Sequence, residues 1–257
     1  MKKIILGTTA LVAATAFTAG SASAADKIKL NVGGYLQTSF VAASYDDDDR
    51  LPTNIRHEGE VQFTGKTTLD NGLEFGVNIQ LEARESSDQV DETFMYVEGS
   101  FGRINMGSED SASYLMHYGS PSPVPAWGLN SPNANASGMT TPSTLTNELG
   151  DKDKITYFTP RFSGFQLGAS YTPDAGWETA SFGAGTGPYN PNGLEGAKEE
   201  AYSISANYVN KFNAVSVAAS LGYQYITVET AGGDDTEELS AGVSVGFSGF
   251  TVGGAYK

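Results

Sequence analysis

Cysteine is missing from this chain of 257 residues, and histidine occurs only twice. Without cysteine, the chain can form neither a disulfide framework nor a thiolate metal site. His57 and His117 lie far apart without the spacing of a helical ligand pair, and no nucleophile motif accompanies them. The sequence therefore predicts a protein that is not an enzyme, with no catalytic residue and no histidine-based metal site.

Basic side chains are scarce as well. The chain has 15 lysines and arginines against 30 aspartates and glutamates, a net charge of −15. Such a balance repels phosphates and argues against a nucleic-acid partner. Acidic residues cluster in predicted loops at 46–49, 234–235 and 237–238. A solvated surface explains these clusters most simply, and a Ca²⁺ site built from the carboxylates is the alternative; no other cofactor is predicted.

A long apolar run occurs only at the start of the chain. Lys2 and Lys3 precede the run at residues 4–19, and Ala22-Ser23-Ala24 has the pattern of a signal-peptidase site. We interpret residues 1–24 as a secretory signal peptide and residues 25–257 as the mature domain; a membrane anchor is the alternative for the first segment. No other stretch approaches the roughly 18 apolar residues of a spanning helix, so any further membrane crossing requires strands.

Strict alternation of apolar and polar residues is the dominant pattern. Residues 55–83 form a predicted hairpin around Asp70-Asn71-Gly72. In its second strand Leu73, Phe75 and Val77 share one face, and charged or amide side chains share the other. The pattern recurs to give eleven predicted strands, near residues 27–43, 55–69, 73–84, 91–100, 103–108, 155–159, 165–171, 202–208, 215–223, 239–247 and 250–256.

The connections fall into two classes that alternate along the chain. Tight turns are predicted at 70–72, 100–102, 163–164, 210–213 and 248–249, and all but one of the other connections are long. Outer-membrane barrels have this distribution, with short periplasmic turns and longer external loops. Lipid offers no hydrogen-bond partners, so strands can cross it only in a closed ring. We therefore predict an all-β fold, a transmembrane antiparallel β-barrel, whose longest pattern-free segment, 109–151, is the functional loop.

Two segments carry a family resemblance: DNGLEFG at 70–76 and MYVEGSFGRINMG at 95–107. They resemble hairpins of general diffusion porins of Gram-negative bacteria, especially alphaproteobacterial ones. The resemblance implies a 16-stranded barrel, a homotrimer inserted into outer-membrane lipid by the barrel assembly machinery, and a third external loop folded into the lumen. It further implies a water-filled channel for passive diffusion of small hydrophilic solutes and ions. By position, residues 108–151 correspond to that loop.

The end of the chain departs from this pattern. The chain ends in Tyr256-Lys257, without the terminal aromatic residue that such barrels typically have. Eleven strands is also an odd number, whereas single-chain bacterial barrels have even numbers. We expect the chain to represent about the first two thirds of a porin, with about five further strands missing. A functional barrel of twelve strands or fewer is the alternative.

Charged residues near the predicted loop suggest how solutes are selected. We expect acidic loop residues to face basic residues across the lumen, which creates a transverse field, and an excess of acid favours cations. A solvated rim charge is the alternative for each basic residue. Trp127 either anchors the loop or stacks on a sugar ring. The predicted constriction comprises the loop residues Glu109, Asp110, His117, Trp127, Glu148 and Asp151 and the wall charges Arg56, Glu58, Glu60, Glu82, Arg84, Arg103 and Lys154.

A different class of function stays open at this point. An adhesin or structural barrel would act through its external loops and have a blocked lumen. The inward positions argue for water in the lumen, because they are small and polar: Ser203, Ser205, Asn207, Ser216, Ser220 and Gly222.

Overall fold

The computed structural model describes residues 28–44, 52–83, 89–122, 129–130, 143–176, 198–228 and 233–257. They form one sheet of eleven antiparallel strands in sequence order, as the alternation predicts. Within these residues, the first and last strands each pair with a single neighbour, so the barrel is not closed. Within the same ranges, no helix is long and apolar enough to cross a membrane.

Neighbouring strands pair antiparallel throughout, and strand length ranges from 6 residues in β6 to 16 in β2. Their bounds are β1 Lys29–Ala42, β2 Thr53–Thr68, β3 Glu74–Glu82, β4 Val90–Gly99, β5 Gly102–Ser108, β6 Asp153–Phe158, β7 Phe165–Thr172, β8 Lys198–Phe212, β9 Val215–Val228, β10 Thr236–Phe247 and β11 Phe250–Tyr256. One short helix, α1 (Ala112–Leu115), interrupts the segment between β5 and β6, which the sequence predicted to be without regular structure.

The burial pattern is the reverse of that in a soluble sheet. Large apolar side chains on the outer face are exposed, as with Leu36 at 71% and Phe247 at 56%. Buried positions on the inner face are mostly polar, among them Thr156, Ser203 and Gln224. Strand alternation produces this separation directly, since successive side chains point to opposite faces. A small apolar cluster of Leu149, Ala175, Ala201 and Ile226 lies where the longest loop returns to the sheet.

Tight turns join the strands at the end opposite the long connections. Ser163-Gly164 and Ser248-Gly249 have positive φ at both residues, which is the backbone of a two-residue turn that matches strand twist. The predicted turn at 210–213 was placed too early, because Asn210 to Phe212 continue β8 and the reversal falls at Asn213, whose φ is +53°. Polar residues near the end of a strand look like turn residues when only local sequence is considered.

Several predictions fall outside the described residues. These are the signal peptide at 1–24, the acidic loop at 46–49, Arg84 and Trp127.

Candidate functional site

The segment after β5 runs along the inner face of the sheet. Its helix, α1, contacts β6, β7, β8 and β9. The backbone N–H of Ala112 donates to Ser170 Oγ at 2.8 Å, and that of Ser113 donates to Ser203 Oγ at 2.9 Å. These two amides lie in the first turn of α1, where no intrahelical acceptor exists, so serines of the wall take the place of a cap.

The Ser113 hydroxyl joins the outgoing and returning parts of the loop. Its Oγ accepts hydrogen bonds from Ser203 Oγ at 2.8 Å and from Thr146 Oγ1 at 2.7 Å. Ser113, Thr146 and Ser203 are all buried. Thr146 belongs to the returning part of the segment, so one hydroxyl links both parts of the loop to β8.

Beyond α1 the chain continues across β8 and β9. Tyr118 N–H donates to Ser220 Oγ at 2.8 Å, and the same hydroxyl donates to the Tyr118 carbonyl at 3.1 Å. Asn207 Nδ2 donates to the Met116 carbonyl at 3.3 Å. Wall side chains therefore hydrogen-bond the loop backbone at Met116 and Tyr118.

Glycines on the wall allow this segment to lie close. A Cβ at Gly242 would lie 1.9 Å from the Tyr118 carbonyl oxygen, and one at Gly253 would lie 2.2 Å from the Gly119 carbonyl oxygen. Neither distance is compatible with a side chain. Small inward residues on β7 to β11 thus form a track for the loop, which we call the docking track: Ser170, Ser203, Asn207, Ser220, Gly222, Gly242 and Gly253.

This result changes the interpretation of the small polar residues. Ser203, Asn207 and Ser220 were expected to face water in the lumen, but they bind the loop. Strand alternation shows which face a residue occupies and does not show what covers that face. A run of serine and glycine at inward positions of adjacent strands is the sequence signal that could have indicated a docked backbone.

Carboxylates gather where the loop leaves the wall. Oxygens of Glu92, Asp110 and Asp151 lie within 4.8 Å of one another. Lys154 is buried close by, with Nζ donating to the carbonyls of Gly150 at 3.2 Å and Lys152 at 2.5 Å. We call Glu92, Asp110 and Asp151 the acidic cluster; its carboxylate oxygens are the type of ligand that a hard cation prefers.

Burial changes the protonation of this cluster. It raises the pKa of Asp110 to about 8, and the charges of Asp151 and Glu92 act in the same direction. Burial likewise raises the pKa of Glu109, whose Oε2 accepts from Asn105 Nδ2 at 2.8 Å.

Arg103 is connected to Glu109 through the side chain of Asn105. Its Nε donates to Asn105 Oδ1 at 2.7 Å, and its guanidinium carbon lies 3.8 Å from the centre of the Tyr96 ring. Arg103 Nη1 also lies 3.8 Å from Glu98 Oε2, which makes a weak ion pair. Lys154 therefore lies beside the acidic residues where the loop begins and ends, whereas Arg103 lies near the tight-turn end of β5.

The returning part of the loop is bound by charges. Lys198 Nζ contacts Glu148 Oε2 at 2.7 Å, and this hydrogen bond lowers the pKa of Glu148. The Glu148 N–H in turn donates to Glu238 Oε2 at 3.3 Å. Glu238 is buried and also accepts from Gln224 Nε2 at 2.9 Å and from Lys257 Nζ at 2.6 Å. Of these five, only Glu148 was predicted as a constriction residue, and Glu238, predicted in an acidic loop, lies in β10. Lys198 and Glu238 are 50 and 90 positions from Glu148, and partners at such a distance leave no local pattern.

His117 lies on the docked segment beyond α1. Both of its ring nitrogens are buried without a hydrogen-bond partner among the described residues, and burial lowers the pKa of the ring.

The remaining predicted wall charges lie on β2 and β3. Glu60 accepts from Tyr35 Oη at 3.3 Å, and oxygens of Glu60, Glu82 and Asp91 lie within 4.8 Å of one another. Arg56 and Glu58 occupy inward positions further along β2. Both carboxylate groups differ from the acidic loops for which the sequence suggested Ca²⁺, and that suggestion stays a prediction.

Comparison with known proteins identifies the class. The profile of the Gram-negative porin family matches residues 7–257, so the chain belongs to this family. It is an all-β outer-membrane porin, a channel protein of the Gram-negative cell envelope. No curated protein sequence matches the chain significantly.

Several solved structures are similar to the chain. A porin refined at 1.8 Å resolution is 19% identical, with 88% of this chain and 82% of that chain covered and a TM-score of 0.46. An anion-selective porin from Comamonas acidovorans is 14% identical, with coverages of 85% and 74% and a TM-score of 0.45. A mutant of the Rhodopseudomonas blastica porin is 13% identical, with coverages of 89% and 99% and a TM-score of 0.43.

Proposed function

We propose that this porin is a water-filled channel through which small hydrophilic solutes and ions diffuse passively, and that it favours cations. The observation that carries the proposal is the loop bound along the inner wall: α1 and residues 116–118 attach to three wall serines. A backbone segment fixed inside a channel narrows it, and its rigid attachment sets a reproducible size limit.

The cation preference follows from the balance of charge around this segment. Glu109, the acidic cluster and the second carboxylate group of Glu60, Glu82 and Asp91 all lie on the inner face. Lys154, Arg103 and Arg56 are the basic residues predicted there that the structure describes. Rings weighted towards carboxylates raise the local concentration of cations and lower that of anions.

Liposome swelling with a size series of uncharged sugars tests the channel. We expect swelling that decreases steeply with sugar size, because the docked loop sets a limit. Swelling independent of sugar size would contradict a loop constriction. Absent swelling, together with cell binding that depends on the external loops, would favour the adhesin or structural-barrel alternative.

Two partners belong to the same proposal. We expect a homotrimer assembled by the barrel assembly machinery, since exposed apolar strands require lipid or protein neighbours. An unheated sample should migrate on a detergent gel as a species of about three chains, and migration as one chain would contradict the trimer.

A further inference from the structure

The outer face of β7 to β10 carries an apolar groove. Ala169 and Ala206 are small residues set among Leu167, Ile204 and Leu221, and this difference in size creates the recess. Each of these three larger side chains is exposed by more than half. Since this face contacts the membrane, a hydrocarbon chain is the occupant whose chemistry matches the lining.

A second recess continues the groove towards the end of the sheet that carries the long connections. It is lined by Tyr202, Ile204, Tyr223 and Tyr225, and it shares Ile204 and Tyr223 with the apolar groove. The Tyr171 ring lies beside this recess, with its centre 5.3 Å from that of Tyr202. Because they share Ile204 and Tyr223, the two recesses form one groove on the outer surface, which is apolar along its length and aromatic at one end.

Carboxylates border the aromatic end. Glu200 accepts hydrogen bonds from Tyr171 Oη at 2.9 Å and from Tyr202 Oη at 2.7 Å. Asp235 accepts from Tyr225 Oη and, at 3.0 Å, from the Val228 N–H. Neutral donors hold both carboxylates in place without removing their charge.

Within the part of the chain that the structure describes, the carboxylates at this end are not balanced by an ion pair. Glu237 lies opposite Tyr225 in the strand register and adds a third carboxylate. Among the described residues, no lysine or arginine forms an ion pair with Glu200, Asp235 or Glu237. Acidic residues on the outer face of a barrel are unfavourable unless they lie in the headgroup region or are balanced.

We propose that this surface binds a membrane lipid whose headgroup bears an ammonium group. The ammonium lies against the tyrosine rings and near Glu200 and Asp235, and one acyl chain occupies the groove over Ala169 and Ala206. Aromatic faces attract ammonium ions through their quadrupole, most strongly where water is excluded. The carboxylates add charge complementarity, and the groove adds the apolar contact that a soluble ammonium ion lacks.

Native mass spectrometry of the full detergent-purified protein tests the proposal. Delipidated protein is titrated with dioleoyl phosphatidylcholine and, separately, with dioleoyl phosphatidylglycerol, both in EDTA. We expect the choline lipid to bind on the order of tenfold more tightly. Equal binding of the two lipids would overturn the proposal. So would a preference for the glycerol lipid that appears only on addition of Mg²⁺, because it would indicate cation-bridged phosphate instead.

Glu200→Gln tests the headgroup end of the site, and Ala206→Leu tests the apolar groove. Glu200→Gln keeps an acceptor for the tyrosines and removes the charge, so it should reduce the preference for choline over glycerol lipid severalfold. Asp70→Asn removes one charge from a turn at the opposite end of the sheet and should leave the preference unchanged.

Ala206→Leu fills the groove and should weaken both lipids, and Ala219→Leu, an outward position outside the groove, serves as its control. Heat-modified gel mobility confirms folding of each variant. Unchanged lipid binding in folded Glu200→Gln and Ala206→Leu would refute the site. If this protein instead associates with a second copy of itself through this face, so that lipid cannot bind there, the proposal is refuted as well.

Discussion

The close approach of the Tyr118 carbonyl to Gly242 makes a steric prediction. A Cβ at position 242 would lie 1.9 Å from that oxygen, so the loop backbone must retreat by about 1.5 Å in Gly242→Ala. Alanine is otherwise favourable in a strand relative to glycine, by roughly 0.5–1 kcal/mol, so any loss must come from the loop contact. Retreat breaks the two hydrogen bonds between Tyr118 and Ser220.

The size of the effect follows from these losses. Overpacking and the broken hydrogen bonds together cost roughly 2 kcal/mol, which lowers the ratio of docked to undocked loop about thirtyfold. The absence of native cysteine allows a single reporter, Met116→Cys, at a position that is 3% exposed in the docked loop. We expect the rate of labelling by a water-soluble thiol reagent to rise about thirtyfold when Gly242→Ala is added.

Gly246 provides the matched control on the same strand. It is also an inward glycine of β10, and a Cβ there would have its nearest neighbour at 3.6 Å, an ordinary contact. Gly246→Ala should therefore leave the labelling rate of the reporter unchanged. If Gly242→Ala and Gly246→Ala both label at the rate of the Met116→Cys protein alone, the loop is not held against Gly242 and does not bind along the docking track.

Three further predictions concern the charged groups. The raised pKa of Asp110, about 8, means that its carboxyl ionises as pH rises, so cation preference in reversal-potential measurements should increase between about pH 7 and 9; a step of the same size in Asp110→Asn would contradict this. Millimolar Ca²⁺ should reduce K⁺ preference by binding the acidic cluster, and Asp151→Asn should abolish the effect; a Ca²⁺ response unchanged in this variant would exclude the cluster as the site. Glu238→Leu leaves the Gln224 amide and the Glu148 N–H without their acceptor, which should cost about 1–3 kcal/mol of stability. We expect a lower temperature of heat modification for this variant and a smaller decrease for Glu238→Gln. If the parent protein and Glu238→Leu have equal temperatures, Glu238 does not secure the returning loop.

The strands were predictable because membrane and lumen impose opposite chemistry on the two faces. Leu73, Phe75 and Val77 alternate with polar residues, and that pattern needs no knowledge of distant residues. Turns such as Ser163-Gly164 were equally accessible, because few residues tolerate positive φ. Local information of this kind is sufficient for the architecture.

The attachment of the loop was not predictable in the same way. Ser203 hydrogen-bonds to Ser113, which is 90 positions away, and a serine hydroxyl suits water and a backbone amide equally well. Helix α1 has four residues, too few to show a helical period. Glu238 was interpreted as a solvated surface charge, and nothing in the local sequence relates Glu238 or Lys198 to Glu148, which contacts both.

The reversal potential of the reconstituted protein in a KCl gradient tests the central claim most directly. We predict stepwise channel conductance and a reversal potential whose sign shows that K⁺ is more permeant than Cl⁻, because carboxylates outnumber basic groups around the docked loop. A reversal potential of the opposite sign would contradict the acidic constriction. Absence of conductance in folded protein would contradict the channel itself.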